Sequence, residues 1–144
     1  MAEGIAPSNI QLDQEAKTWD EAIRLAGAPL VEHGSVDPSY VDRMVESVRR
    51  LGPYIVIMKG LALAHAAPCP EVHTSDLSLA TFRDPIEFHC DNDPVSVVMC
   101  LACTDSTSHI ARLQSIAERL MEPGIVSKMM ACGSPEELSS LLQA

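Results

Sequence analysis

An α/β fold, with helices on both faces of a mixed, roughly five-stranded sheet, is what this sequence predicts. Three observations predict it. Two capped, amphipathic helical segments come first, between residues 18 and 52. Short apolar, strand-like runs fill most of residues 54 to 103. Helical spacing then returns for the rest of the chain. Helices, then strands, then helices fit a three-layer α/β/α sandwich. With 144 residues, 47% of them hydrophobic, the chain suits one domain with a real core. The domain is expected to span residues 1–144, with residues 1–8 as a loose lead-in.

Each element has its own signal. Thr18-Trp19-Asp20-Glu21 has capping-box form, and Trp19, Ala22, Ile23, Ala26 and Leu30 follow helical spacing. Gly34 is a stop, and Pro29 predicts a kink or an early end. Asp37-Pro38 opens a second helix with the stripe Tyr40, Val41, Met44, Val48 and Leu51, ended by Gly52-Pro53. Tyr54 to Met58 reads as a strand, Lys59-Gly60 as a turn, and Leu61 to His65 as a second strand. A period of two puts Leu61, Leu63 and His65 on one face of it. Leu77 to Phe82 predicts a third strand, Arg83-Asp84-Pro85 a turn, and Ile86 to Phe88 a return strand. Val95 to Cys103 fits a strand buried on both faces or the start of a buried helix. Ile110, Leu113, Ile116, Ala117 and Leu120 form a helical stripe stopped near Glu122-Pro123-Gly124. A short apolar segment, Ile125 to Ala131, precedes a last helix opened by Ser134-Pro135-Glu136-Glu137.

Composition removes several classes of function. The net charge is -10, which repels nucleic acid on average, and aromatics at 3% leave little for base stacking. A basic protein partner is compatible with that charge. Met1-Ala2-Glu3-Gly4 is not the positively charged start expected of a signal peptide, and the most apolar run is too short to span a bilayer. Five cysteines, an odd number, suit reduced thiols in the cytoplasm. Cys100 and Cys103 form the single Cys-x-x-Cys, but an odd separation in a strand points them to opposite faces, so they cannot share a metal ion. Asp91-Asn92-Asp93 lacks the glycine and distal glutamate of a calcium loop and reads as a turn. No nucleotide-binding glycine motif is present.

Two histidines carry the chemistry. His65 ends a predicted strand and opens a loop, where α/β sheets place their sites. Its neutral imidazole is a competent nucleophile near pH 7. A half-buried histidine bonded to a carbonyl explains the same pattern. His109 falls in the first turn of a predicted helix, beside N–H groups and a dipole that suit a phosphate; taken alone, the position favours a solvated surface histidine. His33, His73 and His89 lie in loops or at helix ends and carry less signal.

A set of residues taken together is more specific. Thr18-Trp19-Asp20-Glu21-Ala22, Val36 with Tyr40, Gly52-Pro53-Tyr54, Val56-Ile57, and Gly60-Leu61-Ala62 leading to His65 come in order. Pro68 with Val72, Leu77-Ser78-Leu79, Pro85-Ile86-Glu87-Phe88, Asp91-Asn92-Asp93-Pro94-Val95, and Asp105 with His109 follow. In this order the chain resembles the enzyme IIA family of the bacterial phosphoenolpyruvate-dependent sugar phosphotransferase system, mannitol/fructose type, and within it the ascorbate-specific branch. The resemblance implies a phosphotransferase component without cofactor or metal. His65 would take a phosphoryl group from phospho-HPr and pass it to a cysteine of enzyme IIB, which works with the membrane component IIC; His109 would steady the group. A homodimer is compatible with this reading. A regulatory domain of the same fold, or a protein-binding module that has lost phosphorylation, are the rival readings. The flanks of His65 depart from the family: Ala64 stands where proline is usual, Ala66 where glycine is frequent, and Ala67 where ascorbate-type members often carry a basic residue. These departures bear on loop rigidity and phosphate neutralisation. Arg49 and Arg50 lie near the place of the mannitol branch's active-site arginine, but without its motif they receive no role.

Overall fold

The computed structural model describes residues 5–143, apart from the side chains of residues 108, 109, 112, 113 and 143. Helix α1 (Trp19–Glu32) starts where the cap residues put it: Thr18 Oγ1 accepts from the Glu21 N–H, and the Glu21 carboxylate reaches back to the Lys17 N–H at 2.6 Å. Helix α2 (Pro38–Leu51) follows Asp37 and ends at Gly52, whose φ of 92° suits glycine. Both helices bury their apolar stripes on one face of the sheet, except for Leu51 at the end of α2, which is 64% exposed. Gly27 is where α1 comes closest: a Cβ there would sit 3.4 Å from Val41 and 3.6 Å from the Cys100 sulfur.

Pro29 neither ends α1 nor leaves a gap in its hydrogen bonding. The helix runs three residues past it. Proline has no N–H for the carbonyl of Leu25, four residues back. That carbonyl instead accepts from Gln11 Nε2 at 2.7 Å. Gln11→Ala should therefore cost about 1 kcal/mol in urea unfolding. Pro29→Ala restores the helical donor, so in that background the same substitution should cost clearly less. Equal costs in both backgrounds would show that the Gln11 amide does not stand in for the missing N–H.

The sheet has five strands: β1 (Ile10–Gln14), β2 (Val56–Met58), β3 (Leu61–His65), β4 (Asp76–Ile86) and β5 (Val95–Ala102). They lie in the order β1-β4-β5-β3-β2. β1 is parallel to β4 and β3 parallel to β5, while β4–β5 and β2–β3 are antiparallel, so the sheet is mixed. β5 occupies the centre, and seven of its eight residues are buried, as the uninterrupted apolar run requires. Helices α3 (Ser106–Leu120), α4 (Ile125–Ala131) and α5 (Pro135–Gln143) cover the other face. Their Ile116, Leu120, Met129 and Leu138 join Leu61, Leu63, Leu79 and Met99 in a second core. Among the described residues, no helix is long and apolar enough to cross a membrane.

Two strand assignments differ from the sequence reading. The expected turn at Arg83-Asp84-Pro85 and the return strand after it are absent; β4 runs on through them to Ile86. Thr81 pairs with Val97 and Ile86 with Val95, so five steps on β4 answer two on β5. The extra residues bulge to solvent, where Pro85 has no ladder N–H to supply. The fifth strand is instead β1, from a stretch to which the sequence reading gave no element. Its short alternation of Ile10, Gln11 and Leu12 is a weak signal, made a strand by parallel pairing with distant β4. The residues before it are also engaged. Ile5 is 2% exposed, its carbonyl accepts from Ser139 Oγ at 2.6 Å, and Pro7–Asn9 form a 3-10 turn. Met1 to Gly4 and Ala144 lie outside the described residues.

Candidate active site

His65 is the last residue of β3 and pairs with Leu101 of β5. The period of two that buries Leu61 and Leu63 among α3, α4 and α5 turns the imidazole to that same side. The ring is half-buried at the end of the sheet from which β5 leads into α3. Its Nδ1 lies 2.9 Å from the Leu63 carbonyl oxygen. A carbonyl oxygen only accepts, so Nδ1 carries the proton, and the neutral ring keeps its lone pair on Nε2. The carbonyl bond expected of a structural histidine is thus present, and it is also what prepares Nε2 as a nucleophile.

A cavity of about 550 Å³ opens beside the ring. Ile57, Met58, Leu63, Ala117, Leu120, Met121 and Pro123 make its walls apolar, with Glu122 the one carboxylate among them. Met121 is 79% exposed and Ile57 43%, unusual for large apolar side chains. Sequence patterning did not single these out, because they come from an edge strand and the end of a helix that meet only in the fold. Tyr54 also borders the site: its ring meets the imidazole edge-on, centroids 5.6 Å apart and planes at 87°. No residue of the sequence near Tyr54 signalled this contact.

His109 stands in the first turn of α3, where helical spacing put it. Its side chain lies outside the described residues. The other histidines are placed elsewhere. His33 follows α1 as its C-cap, His73 Nε2 lies 2.8 Å from the Asp37 carboxylate, and His89 has a φ of 65° in the loop after β4.

A second cavity of about 280 Å³ lies against the loop after His65, lined by Arg43, Glu46, Ser47, Arg50 and Ala66 to Cys69. Arg43 is engaged by Glu71 at 3.0 Å; that guanidinium, with the Cys69 thiol and Ser39, holds the Glu71 carboxyl down to about 2. Arg49 points elsewhere, 3.6 Å from the Asp20 carboxylate and over the Trp19 ring. Cys100 and Cys103 pack in the two different cores, on opposite sides of the sheet, and burial pushes the Cys100 thiol up to about 12. The Asp91-Asn92-Asp93 turn is built around the Asp93 carboxylate, which accepts the N–H groups of Phe88, His89 and Cys90 at 2.6 to 3.0 Å. Burial pushes its pKa up, but those donors outweigh it and hold the group below its ordinary value.

Comparison with known proteins gives the family. Residues 4–144 match the model of the family described as "Phosphoenolpyruvate-dependent sugar phosphotransferase system, EIIA 2". The ascorbate-specific PTS system EIIA component of Escherichia coli (strain K12) is 33% identical over 136 residues, covering 93% of this chain and 88% of the relative. The crystal structure of IIA mannitol from Escherichia coli superposes with a TM-score of 0.83 at 26% identity, covering 96% of this chain and 98% of that one. A complex of enzyme IIAMTL with phosphorylated enzyme IIBMTL from the same organism gives 0.83 at 25% identity, covering 96% of each chain. The family match over nearly the whole length and the relatives above 30% identity lead to one conclusion: the chain belongs to the EIIA type-2 family of the phosphoenolpyruvate-dependent sugar phosphotransferase system.

Proposed function

We propose that this chain is a single-domain phosphoryl carrier with His65 as its phosphorylated residue. The observation that carries the reading is the Nδ1–H bond to Leu63, which leaves the lone pair on Nε2 beside an open apolar groove. In the first transfer, Nε2 attacks the phosphorus of phospho-HPr; the new N–P bond forms as the bond to the HPr histidine breaks. In the second, a cysteine thiolate of enzyme IIB attacks the same phosphorus, and the bond to His65 breaks. Such transfers ask for an in-line nucleophile and charge-stabilising donors more than for elaborate chemistry. His109, in the first turn of α3, is the proposed donor to the phosphoryl oxygens, aided by the N–H groups of that turn. The apolar walls serve as a docking surface for both partners and keep water from the labile N–P bond. Relatives named ascorbate-specific support ascorbate or a related sugar as the transported substrate, with this chain working in the cytoplasm and the membrane component IIC completing uptake.

The test is intact mass after incubation with phosphoenolpyruvate, enzyme I and HPr, followed by addition of the ascorbate-type enzyme IIB. One acid-labile phosphate that maps to His65 and disappears onto enzyme IIB is the expected result. Phosphate retained in the presence of IIB would favour a regulatory domain. No phosphate at all, with HPr charged, would favour a binding module.

A further inference from the structure

The chain has only two tyrosines, in a sequence with few aromatic residues, and both reach the peptide unit that follows His65. Tyr40 lies on α2 and is fully buried. Its hydroxyl oxygen accepts the Ala66 N–H at 3.2 Å. The hydroxyl proton is shared between the carbonyls of Ala66 and Leu101, each 3.1 Å away. Leu101 is also the residue that pairs with His65 in the sheet. Burial pushes the Tyr40 phenol up, so it stays a protonated donor. Tyr54 comes from the other side, out of the Gly52-Pro53 turn. Its hydroxyl donates to the His65 carbonyl through a long bond of 3.4 Å, and its ring meets the imidazole edge-on. The turn is anchored to the same strand, since Ile55 O accepts from the Leu63 N–H at 2.8 Å.

The C=O of His65 and the N–H of Ala66 belong to one peptide plane. One tyrosine holds each end of it. Ala64 and Ala66 have no side chain beyond Cβ, so they add no stiffness of their own. We infer that Tyr40 and Tyr54 are positioning residues that clamp the His65–Ala66 peptide and the imidazole plane, keeping Nδ1 on the Leu63 carbonyl and Nε2 presented to the groove. The inference rests on the phosphoryl-carrier reading for its purpose, though not for its geometry. Free imidazole exchanges its proton between the two nitrogens, and the hydrogen bond made by one sets the state of the other. A ring allowed to swing loses the Leu63 bond and with it the preference for the Nε2 lone pair.

The experiment is a nitrogen-15 NMR measurement of the His65 tautomer above its pKa, in wild type, Tyr54→Phe, Tyr54→Leu and Tyr40→Phe. Wild type should hold the proton on Nδ1. Tyr54→Phe keeps the edge-on ring but loses the hydroxyl bond, so it should fall between wild type and Tyr54→Leu. Tyr54→Leu removes an exposed ring from a surface turn, so the fold survives, and the two tautomers should mix. Tyr40→Phe should mix them too; if it does not fold, Tyr54→Leu decides alone. Phosphoryl uptake from phospho-HPr should fall about tenfold in Tyr54→Leu, within the ~10²-fold that a misplacement of about 1 Å can cost. An unchanged tautomer in Tyr54→Leu, or a mixed tautomer with unchanged uptake, would overturn the clamp. The tautomer is read without any phosphoryl donor. A wild type that takes no phosphate therefore defeats the carrier reading and leaves the clamp to be judged by the spectrum.

Discussion

His65→Asn should take up no phosphate above background while the protein stays folded. The asparagine amide places a nitrogen close to where Nδ1 stood, 2.9 Å from the Leu63 carbonyl, so that bond can be kept. Nothing occupies the Nε2 position, and an amide nitrogen has no basic lone pair to offer. The stability change should stay within about 1 kcal/mol, since one hydrogen bond is retained and one edge-on ring contact with Tyr54 is lost. His65→Gln is the complement: its amide reaches toward the Nε2 position and forfeits the Leu63 bond, so it too should be inert, and less stable than His65→Asn. Labelling of purified protein by phospho-HPr, with urea unfolding of the same samples, separates the two effects. Phosphate on His65→Asn would move the nucleophile elsewhere.

Phe82→Ala should have the largest effect on stability, about 3–5 kcal/mol out of the 5–15 typical of a whole domain. Phe82 is fully buried in the core beneath α1 and α2 and sits on β4 opposite Gln14 of β1. The regular ladder between β4 and β5 ends at Thr81, just before it. Packing of this ring, rather than hydrogen bonding to β5, therefore fixes the end of β4 and the strand β1 beside it. Phe82→Leu keeps most of the volume and should cost clearly less. Urea midpoints with an unchanged m-value would measure the loss. A loss under about 1 kcal/mol for Phe82→Ala would show that the bulge, not the ring, sets this end of the sheet.

Elements whose signals were local were legible in the sequence. The caps at Thr18 and Ser134, the Asp37-Pro38 start of α2, where the Asp37 carboxylate makes no cap bond, and the glycine stops at Gly34 and Gly52 were readable, because each depends on residues a few positions apart. The apolar run of β5, by contrast, fits a strand or a buried helix, and only its pairing decides between them. His65 was legible for the same reason: its strand and face follow from Leu61 and Leu63. Three features were not legible, and each is set by distant residues. Pro29 is tolerated because Gln11, far away in sequence, serves the orphaned carbonyl. Asp84 and Pro85 signal a turn, yet the chain only bulges outward there and resumes pairing with β5 at Ile86. The groove beside His65 assembles Ile57 and Met58 from β2 with Ala117 and Leu120 of α3 and the turn after it, and no periodicity links those segments.

The position of β5 also governs how the molecule must be made. β5 is the last strand to be synthesised and the central one in the sheet. Until Val95–Ala102 emerges, β1 can pair only with β4, and β2 only with β3, as two separate ribbons. The apolar stripes of α1 and α2 meanwhile have only part of a sheet to cover. Until β5 emerges a nascent chain therefore carries exposed hydrophobic surface, and closure of the sheet is a long-range event of the kind that slows folding. Truncated products ending before β5 should accordingly aggregate rather than form small folded pieces.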